Sequence, residues 1–192
     1  MTTEKQLIDR LKRGDPKAME PLMELHQDYV YTLIIQMIKS SSAAEELTQD
    51  VFVKVFQKID TYQERSKFST WLYTVAYRTC LNYLDKKKIV FNLSELGEDQ
   101  VHNYNEDQNL SNLAVDLSFK EDEQQNILWA AIDGLPMQQG LVITLHYLQQ
   151  FTVKEISTML HLPENTVKTH LFRGRNALKT ILLNKYSEEE LL

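Results

Sequence analysis

Between Asn165 and Lys185 the chain carries Lys168, Arg173, Arg175, Lys179 and Lys185 and not one Asp or Glu, although the whole 192-residue protein has a formal net charge of −6. On a helical wheel with Val167 at zero, Leu171, Gly174, Leu178, Ile181 and Leu182 fall within about 60° of it, which makes a core face. The opposite face holds Asn165, Thr169, Phe172, Arg173, Asn176 and Lys179. A large aromatic residue is thus set away from the core, between a hydroxyl and a guanidinium. That combination suits a DNA major groove, where Arg takes two acceptors of guanine while Phe and Thr touch a thymine methyl. Lys168, Arg175, Lys179 and Lys185 are placed to meet phosphates and to set register without reading sequence. Each phosphate contact contributes about 0.9 to the log–log salt slope, so a helix with this few cations binds DNA weakly by itself.

No comparable constellation points to catalysis. The chain has no Gly-rich phosphate loop, no nucleophile motif and no cluster with metal-ligand spacing. His26, His102, His146, His161 and His170 are scattered, and Cys80 lies in an apolar helical pattern, where it acts as core filler. Neither an enzyme nor a cofactor or metal site is expected.

The elements that must carry the cationic face read as helices throughout, so the fold class is all-α. Lys5–Arg13 stops at Gly14, and Asp15-Pro16 supplies an N-cap and an N1 proline for a helix running to Ile38. Pro21 should kink that helix or delay its start. A loop over Ser40-Ser41-Ser42 follows, with Ser42 and Glu45 predicted as the capping box of a helix through Ile59. The polar stretch Thr61–Lys67 leads into a fourth helix, Phe68 to Lys88. Helical spacing resumes at Glu123, is stopped by Gly134, and resumes from Met137 towards Phe151. Thr152 and Glu155 form a second predicted capping box, and Pro163 opens the last helix after a very short turn. Two short helices joined in this way outline a helix-turn-helix.

Charge divides the chain further. Residues 1–88 hold 14 Lys+Arg against 12 Asp+Glu, residues 89–121 one against seven, and residues 122–192 six against eight. Residues 89–121, polar and without sustained period, read as an acidic flexible linker between a first domain, 1–88, and a second, 122–192. No apolar run approaches the roughly 18–20 residues that span a bilayer, and the N-terminus lacks the apolar core of a secretion signal. One cysteine fits a reducing compartment, so a cytoplasmic location is expected.

Three blocks in this order, Ala43–Ile59, Phe68–Leu84 and Val153–Lys179, resemble the bacterial RNA polymerase sigma factors of the sigma-70 family, extracytoplasmic-function (ECF) type. The resemblance covers nearly the whole chain. It implies a factor that binds core RNA polymerase and directs promoter-specific initiation, with promoter DNA and an anti-sigma factor as further partners. The first domain would open the downstream (−10) promoter element and the second would read the upstream (−35) element. On the Ala43–Ile59 helix, Leu47, Val51, Phe52, Val55 and Ile59 share an apolar face, while Glu46, Gln49, Asp50 and Val53 share the other. Pattern alone leaves that second side open between a solvated face and a contact; the resemblance makes these four the polymerase contacts.

The Thr61–Lys67 loop resembles the family's pocket for an unstacked base, with Tyr62, Arg65 and Lys67 as candidates, joined along the next helix by Arg78, Asn82, Lys86, Lys87 and Lys88. Trp71 is read as core. For the upstream element the resemblance implies Asn165, Thr166, Lys168, Thr169, Phe172, Arg173, Arg175 and Lys179. Many relatives carry Asn where this chain has Arg78, which leaves the downstream base preference open. Many also read GTVKSR where it has Asn165 to His170, so the hydroxyl is kept at Thr169 while a cation is weakened at His170 and the glycine is gone. The acidic linker would thread the polymerase towards the RNA exit path. A polymerase-independent helix-turn-helix regulator would give the first domain no role. A decoy for an anti-sigma factor would not need Phe172 and Arg173. Were the free protein closed with its cationic helix covered, it would bind promoters poorly.

Overall fold

The computed structural model describes residues 3–95 and 123–185; the stretch read as linker lies mostly outside them. Every regular element among the described residues is helical. Helix α1 (Glu4–Lys12) starts in a capping box between Thr3 and Gln6. Asp15 then caps a short 3-10 turn, Pro16–Ala18, by accepting the Lys17 N–H at 3.0 Å. Its other oxygen accepts from Arg10 Nε at 2.9 Å, and this bond, with the Lys17 N–H, holds the carboxyl below its ordinary value.

Helix α2 (Met19–Ile38) begins only after that turn. Pro21 therefore sits in the first helical turn, where a missing N–H leaves no bond unmade, and it delays the helix rather than kinking it. Lys39 ends α2 in the left-handed conformation, φ 56°, and turns the chain so sharply that α3 (Ser41–Lys58) starts two residues on. The expected box of Ser42 with Glu45 does not form. Ser40 is the N-cap, its side chain makes no capping bond, and Ser42 is already helical.

Helix α4 spans Phe68–Glu95, well past the boundary expected at Lys88. Leu22, Leu33, Val51, Phe52, Val55 and Leu72 interlock α2, α3 and α4 around one buried core. The second group of helices is α5 (Glu123–Asp133), α6 (Met137–Ile143), α7 (Val153–Leu160) and α8 (Glu164–Lys185). The helix expected from Met137 towards Phe151 is cut short: after Ile143 the backbone widens into a π turn, Thr144–Leu148. The Thr152–Glu155 capping box forms as read, and His161, φ 53°, closes α7. Only Leu162 and Pro163 then separate it from α8, which completes the helix-turn-helix. Gly174 lets α8 approach α6, since a Cβ there would lie 2.8 Å from Ile143 Cγ1.

The two groups pack on each other, α7 against α4 and α6 against α2. Tyr73 and Phe151, both buried, meet edge to face at 5.1 Å. Burial pushes the Tyr73 hydroxyl well above its ordinary value. Gln36 donates to Thr144 Oγ1, and Lys39 pairs with Asp133.

Candidate nucleic-acid interface

Helix α8 divides as its wheel requires. Val167 is 0% exposed, and Leu171 and Gly174 are buried with it against α6 and α7. Phe172, by contrast, is 59% exposed. Asn165, Lys168, Thr169, Arg173, Arg175, Asn176 and Lys179 are also exposed, while Thr166 is half-buried at the edge of the face. Thr169 donates its hydroxyl to the Asn165 carbonyl at 2.8 Å, which leaves the oxygen's acceptor capacity and the methyl group outward. Among the described residues, no other helix covers the cationic face.

Tyr147, which sequence reasoning did not single out, joins this surface. The π turn presents its ring, 47% exposed, beside α8, and its phenolic oxygen accepts from Arg175 Nη1 at 3.3 Å. A helix expected to run on smoothly gave no sign of that turn.

The candidates of the first domain fall into two places. Arg78, Asn82 and Lys86 form one exposed stripe along α4, at i, i+4 and i+8, with Lys87 beside it; the Lys88 side chain lies outside the described residues. Arg65 and Lys67 are exposed on the loop that precedes α4.

Tyr62, the third candidate of this loop, is turned inward. It is 7% exposed, donates its hydroxyl to the Ser66 carbonyl at 2.8 Å, and packs on Phe68 and Trp71 with centroids 5.4 and 5.6 Å away. Its apolar ring is worth more inside this aromatic cluster than on the loop's surface, and burial raises its hydroxyl pKa. Trp71 is partly buried in the same cluster, in keeping with its reading as core. The loop is held from outside as well. Glu64, at φ 57°, accepts from Lys12 Nζ at 3.0 Å, and that bond draws its carboxyl below the ordinary value.

On α3, Glu46, Gln49, Asp50 and Val53 are all exposed, Val53 at 54%. Phe56 extends the stripe by one more turn, 44% exposed. Its helical spacing from Gln49 and Val53 was the available signal, masked because an apolar residue next to Val55 reads as core.

Two family models match the chain: Sigma-70 region 2 over residues 22–89, and Sigma-70, region 4, over residues 125–178. The ECF RNA polymerase sigma factor SigW of Bacillus subtilis is 31% identical over 182 residues, covering 91% of this chain and 94% of that one. The chain belongs to the ECF RNA polymerase sigma factors. The ECF RNA polymerase sigma-E factor of Escherichia coli is 28% identical over 178 residues, 92% of each chain.

Two solved structures share the fold. The sigma factor RpoE in complex with the anti-sigma factor NepR, from Bartonella quintana, has a TM-score of 0.66 at 18% identity, covering 88% of this chain and 99% of that one. CnrH in complex with the cytosolic domain of CnrY has a TM-score of 0.64 at 14% identity, covering 95% and 99%. This sigma factor is accordingly an initiation factor and not an enzyme: it directs core RNA polymerase to promoters. None of its described helices is long and apolar enough to cross a membrane.

Proposed function

We propose that this sigma factor divides promoter recognition between its two groups of helices, residues 1–88 and 122–192, joined by the acidic segment 89–121. Helix α8 reads the upstream element. Arg173 takes guanine acceptors, Phe172 and the Thr169 methyl rest on thymine methyls, and Lys168, Arg175 and Lys179 meet phosphates, with Asn165 and Thr166 at the helix entrance. The α3 stripe of Glu46, Gln49, Asp50, Val53 and Phe56 binds core polymerase. The loop around Arg65 and Lys67, with Arg78, Asn82, Lys86, Lys87 and Lys88 of α4, holds the separated downstream strand.

The observation that carries this reading is Phe172, 59% exposed beside Arg173 on a helix that has no acid after Glu164. An exposed aromatic ring on an otherwise solvated helix is a cost in water that base contact offsets. An anti-sigma factor is the regulatory partner, by analogy with the two complexes that share the fold. The cytoplasm, where core polymerase acts, is its place of work.

Permanganate footprinting with core polymerase tests the division of labour. Reactive thymines are expected at the downstream element with the unaltered chain, and not with Arg65→Ala/Lys67→Ala, while the upstream protection persists in that variant. Equal strand opening by the variant would contradict the assignment.

A further inference from the structure

Helix α1 lies before the residues that match Sigma-70 region 2, and none of the roles above falls on it. It is nevertheless firmly seated. Leu7, Ile8 and Leu11 are buried, Glu4 Oε1 meets His26 Nε2 of α2 at 2.7 Å, and Arg10 closes on Asp15 just past the helix end at 2.8 Å. The helix is therefore a fixed base for whatever its last turn touches. Lys12 ends that turn, with its side chain 24% exposed.

The partner of Lys12 is the loop before α4. Its ammonium donates to Glu64 Oε1 at 3.0 Å and stands 5.1 Å from the centre of the Tyr62 ring. Both partners shape the loop. Glu64 is left-handed, φ 57°, a conformation that residues other than glycine adopt at a cost. Its carboxylate is turned to α1, where Lys5 Nζ also stands at 4.0 Å. Tyr62 reaches across the loop and donates its hydroxyl to the Ser66 carbonyl at 2.8 Å. Arg65 thus stands between two pinned neighbours, while its own side chain is exposed and takes no part in the bonds that fix them. One ammonium bears on both pins.

We propose that Lys12 is a positioning residue for strand opening: through Glu64 and Tyr62 it sets the loop so that Arg65 is presented to the separated downstream strand. This rests on the assignment of the loop around Arg65 and Lys67 made above. Charge acts in the same direction. Paired with Lys12 and Lys5, the Glu64 carboxylate is neutralised on the α1 side of the loop. Released, it would be an anion next to the guanidinium that must meet a chain of phosphates, and would repel that chain. Loss of Lys12 therefore loosens the loop and uncovers a repelling charge together.

The test follows the permanganate reactivity of downstream thymines over time, with the full chain, core polymerase and the promoter fragment of the footprint above. Lys12→Met keeps the alkyl stem and removes the ammonium. It should slow opening by about 3- to 30-fold, the span that one exposed ion pair and one exposed cation–π contact allow together. Upstream protection and polymerase binding should not move. Lys12→Arg, which keeps the charge, the donors and the contact with the Tyr62 ring, should restore most of the rate. Glu64→Gly accepts the left-handed backbone and removes the anchor. In that background Lys12→Met should cost less, because only the Tyr62 contact is left to lose.

Unimpaired opening by Lys12→Met, beside failure by Arg65→Ala/Lys67→Ala, would overturn the positioning and leave the loop assignment standing. Unimpaired opening by both would put the error in that assignment and take the positioning with it. A loss shared equally with upstream protection, or one that Lys12→Arg does not restore, would make Lys12 a residue of the fold alone. An undiminished cost in the Glu64→Gly background would mean that the ammonium meets the strand itself, which would overturn the route through the loop.

Discussion

Fold and reading lie on opposite sides of α8, so they should separate under single substitutions. Val167 is 0% exposed, and Val167→Ala removes two methyl groups from the core of the second domain. At about 0.8 kcal/mol per buried group, plus a cavity contribution, the loss is about 2 kcal/mol. Phe172, five residues on and 59% exposed, is not packed against the core. Phe172→Ala should leave stability unchanged or raise it by about 0.5 kcal/mol through helix propensity. Arg173→Ala should likewise be neutral for folding, yet it removes a bidentate base contact of about 1–3 kcal/mol, which is roughly 5- to 150-fold in discrimination.

Urea unfolding followed by circular dichroism gives the first quantity, as a shift in midpoint at constant m-value. The second comes from competition binding of the polymerase complex to a promoter fragment and to one with its upstream element scrambled. The expected pattern is crossed: Val167→Ala unfolds early but discriminates normally at low temperature, whereas Phe172→Ala and Arg173→Ala fold normally and discriminate poorly. If Arg173→Ala retained full discrimination, or Phe172→Ala unfolded as early as Val167→Ala, the assignment of the two faces would be wrong.

Three further outcomes are expected. Gly174→Ala places a Cβ 2.8 Å from Ile143 Cγ1, so overpacking of about 1–3 kcal/mol outweighs a helix-propensity gain of about 1 kcal/mol; in an Ile143→Ala background the same change should become stabilising, which a double-mutant cycle in urea reads directly. Val53→Lys/Phe56→Ala on α3 should fold normally and bind core polymerase about 30-fold more weakly, the lower bound for interface hot spots, as measured by fluorescence anisotropy. Burial pushes the Glu155 carboxyl up, but the Thr152 donors and Lys67 outweigh it and hold its pKa below the ordinary 4.5. A depressed carboxylate contributes stability that is complete above its unfolded value and is lost as pH falls through the folded one. The Glu155 contact of α7 with Lys67 should therefore hold down to about pH 4.5 and weaken below it, and Glu155→Gln should blunt the pH dependence of stability measured by urea unfolding across that range.

The periodic faces were legible in the sequence because each is decided locally. Val167, Leu171 and Gly174 on one side of α8, with Phe172 and Arg173 on the other, follow from 3.6 residues per turn. The Thr152–Glu155 box was legible for the same reason. What failed depended on neighbours distant in the chain or on competition between similar signals. The box expected at Ser42 lost to Ser40, which the left-handed Lys39 places at the start of α3. Tyr62 sits in a polar loop, yet Phe68 and Trp71 draw its ring inward. No local pattern marks the π turn at Thr144–Leu148, so Tyr147 went unseen beside Arg175. A closed free state was considered with the cationic helix covered; the surface that is covered is instead the one along α4, because the contacts of Glu155 and His161 reach across the linker to Lys67 and Arg78.

The central claim is that this chain supplies promoter address and strand opening to a polymerase that holds the catalytic centre. Run-off transcription from fragmented genomic DNA, by core polymerase with and without the chain, tests it most directly when the RNA 5′ ends are mapped. The account predicts ends that cluster at defined positions below a shared upstream sequence, present only with the chain and dispersed by Arg173→Ala. Purified core polymerase that neither retains the chain nor starts at any defined position because of it would contradict the account.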